Sequence, residues 1–326
     1  MDVQPPSHPP LGAPGPTASP PTGAPYAPGA MSPAYHRQLQ GIKGAWWRLV
    51  VAIVGSVVGL VAAAVAAVFV VTVAARAVGY GDFTFDPNDG INAAEMLATN
   101  LGLILLIPVA ALLARTLYGI KPRRLSSVRR GLRWTWLGAC VAMAASVWVL
   151  LFALVLAGVL AEGSARLVSA VVAFLLVVLF TTPLQAAGEE YIFRGLLMQA
   201  FGATRLPTWC CCVATGALFA TAHLQFQPAL FADRLLLGVV FAWLVVRTGG
   251  LEASIAIHAI KNVAVLVPAG LLGDVEEAID PGAVTWVPFV VDVVLLAIVV
   301  PWIAHQWRRR MQQSGHTGPA QPPTLP

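Results

Sequence analysis

The chain has 326 residues, 58% of them hydrophobic and only 11% charged, with a net charge of +5. A soluble globular chain carries about 25% charged residues, and several stretches here exceed the roughly 18–20 apolar residues that cross a bilayer core. A soluble enzyme is excluded. So is nucleic-acid binding, because the basic residues flank apolar stretches rather than covering one face.

The expected fold class is all-α, a polytopic membrane helical bundle of about eight transmembrane helices with disordered tails. Residues 1–40 hold 11 prolines among Gly, Ala, Ser and Thr, a composition that cannot bury a core and reads as a disordered cytoplasmic tail. It lacks the basic start and apolar run of a signal peptide. Residues 41–311 form the membrane domain, and residues 312–326 form a second, shorter disordered tail.

The first span is expected over about Leu49 to Ala75, with Arg37, Lys43, Trp46, Trp47 and Arg48 at its inner border. A loop with Asp82, Asp86, Asp89 and Glu95 reads as external. The second span, about Met96 to Ala114, leads to the most basic loop, which carries Arg115, Lys121, Arg123, Arg124, Arg129, Arg130 and Arg133. The third covers about Trp136 to Leu160. The fourth starts near Leu167, carries no charge before Glu189, and contains Pro183, which is expected to bend it.

The fifth span includes Val213 to His223, and the sixth covers about Leu235 to Val246. The seventh, about Leu251 to Leu272, opens at the Gly249-Gly250 turn, and the eighth runs from about Val284 to Ile303. Eight spans put both termini inside, and 16 of the 20 Lys and Arg residues then lie on the cytoplasmic side, as the positive-inside rule asks. The implied location is the plasma membrane, and the Ala/Val-rich composition leans towards a bacterial one. The partners are membrane lipid and a peptide or membrane-protein substrate. Cys140, Cys210, Cys211 and Cys212 sit in apolar stretches and read as packing residues.

Against this background one stretch stands out. Gly188-Glu189-Glu190-Tyr191-Ile192-Phe193-Arg194 places three charges in an apolar region, where each costs roughly 2.5–3.5 kcal/mol at a helix centre. Such groups face a partner, a cavity or a functional site. Three pairs share the i, i+4 spacing that puts both members on one helix face: Glu190 with Arg194, Phe219 with His223, and His258 with Asn262. The simplest arrangement gathers Glu189, Glu190, Arg194, His223, His258 and Asn262 into one polar pocket in the inner half of the bilayer.

A carboxylate beside a histidine suits activation of water, and a second histidine with an asparagine amide suits stabilisation of an oxyanion. Glu190 and Arg194 would pair, leaving Glu189 to act as base. Alternatively Glu189, His223 and His258 would ligate a divalent metal such as zinc. Both routes lead to hydrolysis. Lys261 points away from this face, and Asp233-Arg234 reads as an interfacial ion pair of little weight.

The three motifs Glu189-Glu190-x-x-x-Arg194, Phe219-x-x-x-His223 and His258-x-x-x-Asn262 resemble, in order and approximate spacing, the signatures of the CPBP family. These are the CAAX prenyl endopeptidases and bacteriocin-processing (Abi) intramembrane proteases. The resemblance covers about Pro183 to Val265, within a protease-like core at 167–272. It implies an intramembrane endopeptidase with Glu189 as base, His223 and His258 at the scissile carbonyl and Asn262 in the oxyanion site. Glu190, Arg194 and Phe219 would be supporting. The family is labelled as metalloproteases, and a metal-free glutamate mechanism is also argued for it. Two other readings use the same pocket: a non-proteolytic scaffold or chaperone, and a proton-coupled transporter, against which the lack of an internal repeat counts.

Overall fold

The computed structural model describes residues 34–79, 92–161, 169–272 and 285–313. The two expected tails, apart from residues 34–40 and 312–313, and the expected acidic loop up to residue 91 fall outside these residues. Everything regular among the described residues is helical, with one isolated antiparallel bridge between Ser127 and Gly250. Seven helices are long and apolar enough to cross a membrane, and an eighth apolar helix is shorter.

The chain is packed from Tyr35 onward, five residues before the expected boundary. Tyr35 and His36 start a single 3-10 turn, Tyr35–Arg37, and both are buried. The Tyr35 hydroxyl donates to the Leu125 carbonyl, and Arg37 Nη2 donates to the Leu206 carbonyl at 2.9 Å. Helix α1 follows over Ala45–Ala77.

Helices α2 (Ala93–Ile104) and α3 (Leu106–Tyr118) together form the second span. The break at Leu105 has a cause in the sequence: Pro108 has no N–H for the Ile104 carbonyl and its ring crowds that carbonyl. Glu95 belongs to α2 rather than to a loop. Asn92 and Glu95 exchange side-chain and backbone hydrogen bonds as a capping box.

A short turn, α4 (Arg123–Ser126), precedes α5 (Trp134–Ala161). The fourth span starts as α6 (Ser169–Glu190) and runs through Pro183 without interruption. Its regular pattern changes eight residues later, where Tyr191–Leu197 adopts π-helical geometry before α7 (Met198–Ala203) completes the span. Wide turns of this kind recur at functional sites because they shift the face on which side chains emerge.

Helix α8 (Thr208–Ala222) is the expected fifth span. At 1.5 Å per residue its 15 residues reach about 22 Å, short of the roughly 30 Å hydrocarbon core. It ends at His223, after which Leu224 takes a left-handed conformation (φ 56°). Pro228 then opens α9 (Pro228–Thr248), where a missing N–H costs nothing. This start is seven residues earlier than expected and carries Asp233 into the bundle. Helix α10 (Glu252–Leu272) and helix α11 (Val287–Gln313) complete the chain.

Helix α6 packs against α2 and α10, and α8 packs along α9. Small residues make both approaches possible, as close packing between membrane helices requires. A Cβ at Gly188 would overlap the Leu103 carbonyl of α2, and one at Gly216 or Gly238 would meet the backbone of the other helix. Asn100 of α2 donates to Thr181 and Thr182 of α6 at 2.7 and 3.1 Å, so the polar groups of this contact satisfy each other.

The end of the bundle that bears the basic loop is tied by backbone bonds from Val128 to the Gly249 carbonyl and from Leu251 to the Ser126 carbonyl. Arg133 reinforces it with a salt bridge to the fully buried Glu252. His258 lies six residues beyond Glu252, about 9 Å along α10. That places the polar groups of α10 in the half of the bundle nearest the basic loop.

Candidate active site

The i, i+4 spacing read from the sequence yields a buried ion pair. Arg194 Nη1 lies 2.8 Å from Glu190 Oε1, and neither side chain is exposed at all. Arg194 Nη2 also donates to the Gly238 carbonyl of α9 at 3.3 Å. Its guanidinium sits 4.3 Å above the Phe219 ring and 5.4 Å from that of Phe241, where the ring faces attract a desolvated cation. Arg194 therefore clamps the π-helical turn to α8 and α9.

His258 of α10 stands between the two carboxylates. Its Nδ1 is 3.0 Å from Glu190 Oε1, and an ionised carboxylate only accepts, so Nδ1 carries the proton. Nε2 then faces Glu189 Oε2 at 3.5 Å, too far for a direct hydrogen bond. His223 is oriented differently. Its Nδ1 donates to the Phe219 carbonyl at 2.8 Å, which leaves the Nε2 lone pair free in the neutral ring. The Phe219 ring packs edge-on against both histidines, at 4.7 Å from His223 and 5.9 Å from His258.

The two oxygens of Glu189 have different surroundings. Oε1 accepts from Gln185 Nε2 at 2.6 Å. Among the described residues, Oε2 is buried and finds no hydrogen-bond partner. Gln185 in turn accepts from Asn262 Nδ2 at 3.2 Å. Asn262 thus belongs to the cluster, but through Gln185. Gln185 is the residue the sequence reading missed, and it lies one helical turn before Glu189 on the same face.

A cavity of about 330 Å³ opens on this cluster. Its walls are almost wholly apolar, with Leu60 of α1, Leu103 of α2, Leu106 of α3, Phe193 of the π-helical turn and Leu218 of α8 among them. Glu189 and His223 supply its ionisable groups; His258 and Asn262 lie behind them rather than in the wall. Asn262 is not among the residues that line this cavity.

The metal-ligand alternative has a geometric answer. Among the described residues no three His, Cys, Asp or Glu side chains are grouped to hold an ion. Glu189 and His258 converge, but His223 does not join them as a third ligand. The donor set as arranged does not fit a three-ligand metal site.

Behind α10 lies a second ionic group. Lys261 Nζ is 2.8 Å from Asp292 Oδ2 of α11 and 3.6 Å from Asp233 Oδ2 of α9. Arg234 Nη1 lies 2.6 Å from the same Asp233 oxygen. Asp233 and Asp292 are buried. Asp233-Arg234 is therefore part of a three-helix brace and not the interfacial pair expected from the sequence. Lys261 does point away from the Glu189 cluster, as its position next to Asn262 on the helix dictates.

Residues 169–264 match the family model for Rce1-like proteins, described as type II CAAX prenyl endopeptidase Rce1-like. A protein from Bacillus subtilis (strain 168), uncharacterised protein YyaK, is 34% identical over 91 residues, which are 26% of this chain and 30% of that protein. The likeness thus spans less than a third of either chain. No solved structure matches. The matched segment 169–264 contains every residue of the Glu189 cluster.

Proposed function

We propose that the protein is an intramembrane endopeptidase in which Glu189 activates water. The observation that carries this reading is the asymmetry of the Glu189 carboxylate: Oε1 is held by Gln185, and the buried Oε2 is bare. In this reading Oε2 takes a proton from a water whose other hydrogen is accepted by the lone pair on His223 Nε2. The water oxygen attacks the scissile carbonyl carbon as its O–H bond breaks. The proton then passes from Glu189 to the leaving amine, so Glu189 acts first as base and then as acid. Gln185 holds the other oxygen of the carboxylate, and His258, oriented by Glu190, stands beside Oε2 with its Nε2 3.5 Å away.

The apolar cavity supports a substrate that brings an apolar group to the site together with its peptide bond. A prenylated peptide is the class named by the matching family description. Cleavage would occur in the membrane half nearest the basic loop, which the positive-inside rule puts on the cytoplasmic side together with both termini.

The test uses the full chain in proteoliposomes with an internally quenched, farnesylated CAAX peptide. Glu189→Gln is expected to lower the cleavage rate about 100- to 10,000-fold, the range spanned by a positioned general base. Cleavage at the wild-type rate by that variant would sink the mechanism.

A further inference from the structure

We infer that Gln185 is a positioning residue for Glu189, and that Asn262 acts by fixing the orientation of the Gln185 amide. The inference rests on the endopeptidase reading for its kinetic consequence, but its geometric half stands without it.

A glutamine amide has two faces of opposite character. Nε2 offers two donors and Oε1 offers an acceptor. Here Nε2 points to Glu189 Oε1 at 2.6 Å and Oε1 points to Asn262 Nδ2 at 3.2 Å. Turning the amide over would set an amide oxygen against a carboxylate oxygen, and two amide nitrogens against each other. Both contacts would be repulsive. Asn262, which contributes a donor from α10, therefore selects the one orientation in which Gln185 can donate to Glu189.

Gln185 is 94% buried, so water does not substitute freely for either bond. The other charged or titratable groups around Glu189 are Glu190 and Arg194 on the same span, His223 from α8 and His258 from α10. None of them donates a hydrogen bond to Oε1 in this structure. Among the described residues, Gln185 is the one shown donating to this carboxylate, and it thereby fixes its rotation and the direction of the bare Oε2. A base displaced by an ångström loses on the order of 100-fold in rate.

A bland alternative is that the Asn262–Gln185 bond simply ties α10 to α6. Two measurements separate the readings. The first is solid-state NMR on full-length protein in vesicles, with isotope labels on the Gln side-chain nitrogen and the Glu carboxyl carbon. A close Gln–Glu contact that disappears in Gln185→Met assigns the pair. The inference expects the same contact to disappear or weaken several-fold in Asn262→Leu and to persist in His223→Ala. An unchanged contact in Asn262→Leu overturns it, whatever the protein does to a substrate.

The second measurement is kinetic and uses the farnesylated quenched peptide. Gln185→Met is expected to lower kcat about 10- to 100-fold with KM within a factor of about two. Adding Asn262→Leu to Gln185→Met should cost little more, because both substitutions interrupt one chain of bonds. A Gln185→Met enzyme with wild-type kcat, or fully multiplicative losses in the double variant, overturns the inference. Failure of wild-type protein to cleave the peptide counts against the proposed function, and the NMR contact then decides the positioning alone.

Discussion

The imidazole of His258 and the carboxylate of Glu190 meet at 3.0 Å between Nδ1 and Oε1, and the same oxygen receives Arg194 at 2.8 Å. Glu190 is thereby committed twice over. Adjacent acids in the sequence have been given separate tasks: Glu190 binds three segments together, and Glu189 faces the cavity.

Removing one member of the Glu190–Arg194 pair leaves a buried charge without a partner. Glu190→Gln or Arg194→Met is expected to destabilise the protein by about 3–5 kcal/mol. Arg194→Lys should not restore it, because an ammonium cannot bridge Glu190 and the Gly238 carbonyl while lying flat on Phe219. Reversible unfolding in mixed micelles, followed by tryptophan fluorescence, measures this. A loss under about 1 kcal/mol would show that the pair is dispensable.

The brace behind α10 allows a sharper comparison. Lys261→Met leaves Asp233 and Asp292 without their shared cation and is expected to cost about 3 kcal/mol or more. Combining it with Asp292→Asn should recover part of that loss, giving a coupling on the order of 1 kcal/mol. The same unfolding assay reads the cycle. Strict additivity would show that Lys261 and Asp292 do not interact.

Gly188 precedes the site and holds α6 against α2. Gly188→Val would press a branched side chain into the Leu103 carbonyl and is expected to separate the two helices. The loss should appear in stability and in cleavage together. Gly138→Ala is the control, since a Cβ there meets nothing within 4 Å, and it should behave as wild type in both assays.

His36 gives a pH dependence outside the membrane helices. Burial first, and the neighbouring Arg37 second, lower its pKa from 6.5 to about 4. Between those values the undocked segment binds a proton that the docked one does not, so docking is strongest above about 6.5 and weakens as pH falls towards about 4. Hydrogen exchange of the amides from Tyr35 to Leu39 is expected to speed up at pH 5 relative to pH 7.5, after correction for the intrinsic rate. The extra opening should be absent in His36→Phe. Equal protection of the native segment at both pH values would refute this.

Much of the molecule was legible in the chain because membrane burial writes itself into composition. Long apolar runs bounded by Trp and Arg marked the spans: the ends of α1, α5 and α10 fall within four residues of those expected, whereas α9 starts seven residues early and α11 runs ten residues past Ile303. The i, i+4 periodicity placed Glu190 with Arg194 and His258 with Asn262 on common faces, because a helix enforces that geometry locally. The short α8 was legible as a hydrophobic segment, but the early start of α9 was hidden by Asp233 and Arg234. Those charges look like a span end until Lys261 and Asp292 are seen beside them.

What only the tertiary structure decided is which atom of each polar residue faces which partner. The sequence places Glu189 near two histidines and an asparagine, but it does not set ring tautomers, amide orientation or access to a cavity. Those depend on how α6, α8 and α10 are brought together, with Gly188 letting α6 close on α2 and Gly216 and Gly238 letting α8 close on α9. They also depend on a π-helical turn that local spacing does not reveal. Packing between distant segments turned the asparagine towards Gln185 and left one oxygen of Glu189 bare. Helical periodicity acts over a few residues, whereas this arrangement joins groups up to 77 positions apart.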